Sequence, residues 1–200
     1  MHKIRSMSCW VEALEHGGVA SFESPDQARI AARVLGRSTP EELLRPRPAR
    51  PGWSLSDTYG FAAFPWHTDA AVALRPPRWL VLSAVELAEP SRTEVLLPST
   101  NIIAKLIRTT LRVHCRNGWL RYLPAGVPEN YGHRLRWDPR VAQPYTSDLL
   151  AEIEDLSPTF SIEWSCGRTV IIDNHRTMHR RPAVGPDSHR VLTRSYIWEV

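Results

Sequence analysis

A chain of 200 residues with a net charge of +4 and a pI near 9.2 suits one domain around one core. Its composition, 42% hydrophobic and 23% charged, is that of a globular protein, and no apolar run approaches the roughly 20 residues that would span a bilayer. The basic excess is arginine, with Lys3 and Lys105 as the lysines, and it is scattered along the chain, so the charge does not point to nucleic acid as a partner. The basic opening, Met1 to Trp10, lacks an apolar stretch, and no signal peptide is expected there. Cys9, Cys115 and Cys166 are odd in number and have neither CxxC nor zinc spacing, which suits reduced thiols in a cytoplasmic protein.

In chain order, Ser24 to Leu35 is expected as a helix, with Ser24 as cap, Pro25 in the first turn and an apolar stripe of Ala28, Ala31, Ala32 and Leu35. Pro40 to Pro51 is too rich in proline for a continuous helix and is expected as a connector. Trp79 to Leu87 and Thr93 to Leu97 are expected as strands, Asn101 to Thr110 as a helix, and Gly118 to Leu123 as a strand. Ser147 to Leu156 is expected as a helix capped by Ser147. Three further strands follow at Thr159 to Trp164, Arg168 to Asp173 and Arg190 to Val200, with Gly167 in a tight turn. Short strands with irregular links and few helices predict a mainly β barrel or sandwich flanked by helices.

The segment FPWHTDAAV places His67 and Asp69 two apart, and on a strand such residues face the same side. The segment IIDNHRTMHRR supplies His175 and His179, either of which could be the third group. Two imidazoles and one carboxylate can occupy one face of an octahedral metal and leave the opposite face open, the facial triad of non-haem Fe(II) oxygenases. A lone HxD is weak evidence, because eight histidines make chance pairs easy and a surface pair is the ordinary alternative.

HTD at positions 67 to 69, DNHRTMHRR around His179 and the terminal HRVLTRSYIW are together similar to the superfamily of taurine dioxygenase and clavaminate synthase. The similarity covers roughly residues 54 to 200, with a gap in shared features between about 100 and 135. It implies a double-stranded β-helix (jelly-roll, cupin-like) core. It also implies an Fe(II) centre at His67, Asp69 and His179, and 2-oxoglutarate and O2 as co-substrates. An arginine eleven residues after the distal histidine, here Arg190, would hold the distal carboxylate of 2-oxoglutarate, with Thr93 sharing it. An arginine fifteen after, here Arg194, would face the substrate, and this spacing favours His179 over His175 as ligand. Arg136, in the element RLRWDP, is a further candidate for substrate or lid contact, and an ordinary loop arginine is its alternative.

The resemblance implies a single oxygenase domain: a helical layer and Pro-rich connector over residues 1–53, then a jelly-roll core over 54–200 with a short lid at about 98–135. The expected activity is hydroxylation, or another oxidation, of a C–H bond in a small molecule, an amino acid or natural-product intermediate, free or carrier-tethered. Halogenating relatives replace the metal carboxylate with a small residue; Asp69 argues against that outcome. Asp173 and Asn174 are read either as orienting His179 or as an ordinary strand-end turn. A homo-oligomer completing the short lid is left open. Two other functions compete: a non-catalytic jelly-roll binding protein, and a zinc hydrolase, against which stands the lack of HExxH.

Overall fold

The computed structural model describes residues 3–130, 132–145 and 147–198. The chain opens with α1 (Lys3–Gly17), β1 (Val19–Phe22) and α2 (Pro25–Leu35). Ser24 caps α2 as expected, its hydroxyl accepting from the Gln27 N–H at 3.4 Å. The Pro-rich connector is not plain coil: it yields two short strands, β2 (Arg37–Ser38) and β3 (Glu42–Leu44). The short helix α3 (Leu55–Tyr59) follows, opened by a reciprocal capping box between Ser54 and Asp57.

The strands β4 (Trp79–Glu86) and β5 (Arg92–Leu96) lie within a residue of the expected positions. The next stretch carries α4 (Thr100–Ile107), β6 (Thr110–His114), β7 (Leu120–Pro124), β8 (Gly126–Glu129), β9 (Gly132–Leu135), β10 (Ala142–Pro144) and α5 (Ser147–Glu154). The side chain of Ser147, read as a cap, lies outside the described atoms. The chain closes with β11 (Phe160–Glu163), β12 (Thr169–Asp173), β13 (Met178–Arg180) and β14 (Val191–Trp198). Gly167, with φ +84°, takes the left-handed turn between β11 and β12 that an L side chain rarely adopts.

The larger sheet runs β1-β12-β4-β14-β2, with β3 also paired to β14, and a smaller sheet runs β11-β5-β13; all pairings are antiparallel. Alternation along β4 divides the interior. Leu80, Leu82 and Ala84 point into a core shared with Val95, Ile162, Val170 and Leu192, which joins the two sheets into the jelly roll. Trp79 and Val81 point the other way, onto Leu14, Ala28, Ala31 and Ala32 of α1 and α2. Each large aliphatic side chain so buried contributes roughly 1.5–3 kcal/mol.

The stretch after β5 holds more than a thin cover. Ile102, Leu106, Leu111, Val113, Leu135, Trp137, Leu149 and Ile153 form a third core with Trp66 and Met178. That packing binds the loop before His67 and the strand bearing His179 to one support. No helix among the described residues is long and apolar enough to cross a membrane.

Candidate metal centre and its cavity

His179 sits in the middle of β13, where the register pairs it with Val95 of β5. His67 is not on a regular strand, contrary to the expectation for the HxD pair. It makes an isolated two-residue bridge with His179, each N–H donating to the other's carbonyl at 3.1 and 2.9 Å, and Asp69 begins a turn. Ala70 then takes φ +57°, a left-handed conformation uncommon outside glycine, and turns the chain away directly after the carboxylate.

What replaces the strand is a set of specific anchors. The Thr68 N–H donates to the Trp137 carbonyl at 2.7 Å, and the Trp137 N–H donates to the Thr68 hydroxyl at 3.0 Å. Asn174 brackets Asp69: its Oδ1 accepts the Asp69 N–H at 2.7 Å and its Nδ2 donates to the Asp69 carbonyl at 3.1 Å and to Pro77 at 2.9 Å. Asn174 therefore orients Asp69, not His179. Asp173 accepts the His175 N–H at 3.1 Å and its carbonyl takes the Arg176 and Thr177 N–H groups, so it builds the turn between β12 and β13.

The ligand atoms of His67, Asp69 and His179 lie within 4.8 Å of one another, and all three residues are buried. Each imidazole Nε2 is 3.7 Å from Asp69 Oδ1. Donors about 2.1 Å from one ion at right angles stand about 3 Å apart, so a small closure suffices for binding. His67 Nδ1 donates to the Pro65 carbonyl at 2.9 Å, which leaves the Nε2 lone pair facing the cluster. Burial pushes the His67 pKa down, and burial with His67 beside it pushes His179 down to about 3; both imidazoles are neutral, as ligands must be. Burial opposes ionisation of Asp69, but Arg194 and the two histidines outweigh it and hold the carboxyl well below the usual range. Two neutral imidazoles and one carboxylate fit a divalent first-row ion. His175 is elsewhere: its Nε2 meets the Pro76 carbonyl at 3.0 Å.

The cluster opens into a cavity of about 310 Å³ that also takes in Thr93, Arg190, Arg194 and Tyr196. Arg190 stands just before β14, and the register of β14 shifts between Val191 and Leu192, so a simple four-apart rule along one strand does not place it; it nonetheless lines the same cavity as Arg194. The buried Arg190 guanidinium donates to the Thr93 hydroxyl at 3.2 Å and has no anionic partner among the described residues. Burial, with Arg181 close by, lowers its pKa to about 10. The Thr93 hydroxyl also accepts from Trp164 Nε1 at 3.0 Å, so its own hydrogen remains to be donated. A buried cation and a hydroxyl hydrogen together suit a carboxylate.

Arg194 differs. It donates to Asp69 Oδ2 at 3.2 Å and to Glu42 Oε2 at 2.7 Å. Tyr196 donates to the same Asp69 Oδ2 at 2.9 Å, and burial first, then Asp69, keep its phenol protonated. Neither Glu42 nor Tyr196 was singled out from the sequence; two-residue spacing from Arg194 on β14 was the available signal for Tyr196, and none marked Glu42. Arg136 is absent from the cavity wall. It is buried with its guanidinium on the carbonyls of Ala71, Ala73 and Leu74, so it fastens the loop after Asp69 instead of lining the cavity. Ser54 and Ser56 do reach the wall, Ser54 while capping α3.

No protein-family model matches the chain, and no curated protein sequence does. Solved structures do match in fold. An asparagine oxygenase, solved in complex with Fe(II), 2S,3S-3-hydroxyasparagine and succinate, superposes with a TM-score of 0.68 at 16% identity over 86% of this chain. A taurine dioxygenase from Burkholderia xenovorans gives 0.69 at 17% identity, covering 98% of this chain and 82% of its own. The non-heme iron oxygenase OrfP, in complex with Fe and alpha-ketoglutaric acid, gives 0.61 at 20% identity over 86% of this chain. The chain spans 63% of the length of the first and third of these. It thus has the jelly-roll fold of these oxygenases.

Proposed function

We propose that the chain is an Fe(II)- and 2-oxoglutarate-dependent oxygenase that oxidises a C–H bond of a small molecule, using O2 and releasing succinate and CO2. The observation that carries this reading is a buried His67–Asp69–His179 cluster sharing one cavity with a buried, anion-less Arg190. A metal site alone would suit many chemistries. A second, cationic end in the same cavity matches a diacid that binds the metal with one end and an arginine with the other.

In this reading His67, Asp69 and His179 hold iron, and Arg190 with the Thr93 hydroxyl holds the far carboxylate of 2-oxoglutarate. Iron, when bound, would activate O2, which is the oxidant; the keto acid would supply two electrons and the substrate C–H bond the other two, so that one oxygen atom of O2 would end in succinate and the other in the hydroxylated product. The protein contributes position. Asn174 and Arg136 fix the loop bearing Asp69, and the backbone bridge between His67 and His179 holds together the two segments that carry the imidazoles. Retention of Asp69 favours oxygenation over chloride transfer. The substrate class is an amino acid or natural-product intermediate, free or carrier-tethered; the asparagine and OrfP relatives, solved with 2S,3S-3-hydroxyasparagine and (3S)-hydroxy-L-Arg, support the amino-acid side. A cytoplasmic setting belongs to the same reading and is supported by three unpaired cysteines.

The test is anaerobic addition of Fe(II) and then 2-oxoglutarate to the purified protein. A weak visible charge-transfer band that needs both additions is expected. Its absence with the metal demonstrably bound would sink the 2-oxoglutarate assignment.

A further inference from the structure

Resting on that reading of the metal centre, we propose that Tyr196 is a positioning residue that decides how Asp69 meets the metal. Its hydroxyl holds Oδ2 and so presents Oδ1 as a single ligand atom.

The two oxygens of Asp69 have different surroundings. Oδ1 faces both imidazole Nε2 atoms, at 3.7 Å each. Oδ2 receives the Tyr196 hydroxyl at 2.9 Å and an Arg194 nitrogen at 3.2 Å. A carboxylate left to itself can bind an ion through one oxygen or both. Bidentate binding would occupy a fourth position on an octahedral ion and leave two, too few for a chelating keto acid together with O2. Holding Oδ2 in hydrogen bonds preserves three open positions.

The phenol is itself held from the backbone. The Tyr196 N–H donates to the Thr39 hydroxyl at 3.0 Å, and its carbonyl accepts the Thr39 N–H at 2.8 Å, so the connector before β3 brackets this residue. Tyr196 also pairs with Leu80 in the centre of the larger sheet. Arg194 divides its guanidinium between Asp69 and Glu42, whereas the Tyr196 hydroxyl has Asp69 as its hydrogen-bond partner among the described residues. Replacing the phenol by phenyl removes that bond without changing the charge of the cavity.

The experiment is titration of metal-free protein with Co(II), comparing wild type with Tyr196→Phe by visible absorption, with a thermal melt of each metal-free protein alongside. Loss of a partner that orients a metal ligand typically weakens metal binding by roughly 10–100-fold. The expected result is weakening in that range together with altered Co(II) d–d bands, and a melting temperature close to wild type. Equal Co(II) affinity and an unchanged spectrum in Tyr196→Phe would overturn the role of Tyr196 and leave the metal centre standing. Failure of the wild type itself to bind Co(II) would remove the metal centre and this proposal with it.

Discussion

Arg190 and Arg194 stand four residues apart and line one cavity, yet their surroundings are opposite. Arg194 has two carboxylates within 3.2 Å and is part of the framework that holds Asp69. Arg190 is more deeply buried and meets a hydroxyl only. A buried guanidinium without an anion is costly to maintain, and its presence is best explained by an anion that arrives with function. Other arginines are satisfied in one of two ways: Arg92 and Arg180 bind Glu94 and Arg47 and Arg50 bind Asp57, while the buried Arg136 and Arg181 donate to backbone carbonyls.

The harshest way to break this account is at the metal. His67→Ala, Asp69→Ala and His179→Ala should each abolish O2-dependent succinate release while the protein stays folded, because three separate apolar cores hold the jelly roll. Full activity in His179→Ala would return His175 to consideration. Removing the guanidinium from the unpaired site comes next. Arg190→Ala should weaken 2-oxoglutarate binding by roughly thirtyfold or more, since truncating one side of a buried charged pair costs about 2–5 kcal/mol and 1.4 kcal/mol is tenfold. Arg190→Lys should recover part of it, as an ammonium lacks the planar fork. Arg194→Ala should leave 2-oxoglutarate affinity within about twofold and instead loosen metal binding, through loss of its bond to Asp69. The apparent KM of an anionic substrate should also rise.

Acid should act on the partnered arginines and spare the lone one. The Ser54 hydrogen bond, with Arg50 and Arg47, holds the Asp57 carboxyl well below its ordinary value of 3.8. A depressed folded value means that this stabilisation is fully present above the unfolded value and is lost as pH falls below about 4 towards the folded one. Melting temperature against pH should therefore fall less steeply below about pH 4 in Asp57→Asn than in wild type. The smallest effect is expected at Ala70, with φ +57°. Relief of left-handed strain, on the order of 1 kcal/mol, offsets the greater chain entropy of glycine, so Ala70→Gly should shift stability by no more than about 0.5 kcal/mol in a denaturant titration.

Much of the pattern was legible in the chain because it is local. The cap at Ser24, the run of strand formers in Trp79 to Glu86 and the turn at Gly167 depend on neighbours a few residues away. The triad was legible through a spacing in which residues 112 apart in the chain, His67 and His179, carry separate short motifs. Strand geometry was the wrong reason for the first motif. His67 and Asp69 are aimed by Trp137 and Asn174, and nothing within FPWHTDAAV announces those distant partners. Arg136 shows the same limit: the motif that marked it says nothing of the three carbonyls that absorb its charge. Glu42 was missed because it meets Arg194 only once β3 and β14 pair, and Tyr196 because its partner Asp69 lies 127 residues away in the chain. The stretch after β5 reads as a short lid in the sequence because members of the family it resembles are longer there; the core it forms with Trp66 is assembled from pieces that carry little signal singly.

The comparison of the two arginines reduces to one measurement: the 2-oxoglutarate dissociation constant of the Fe(II)-loaded protein, read anaerobically from the charge-transfer band, in wild type, Arg190→Ala and Arg194→Ala. Saturable binding is expected in wild type, a loss of roughly thirtyfold or more in Arg190→Ala, and little change in Arg194→Ala. Loss in Arg194→Ala with Arg190→Ala unchanged, or no charge-transfer band in the iron-loaded wild type, would contradict that expectation.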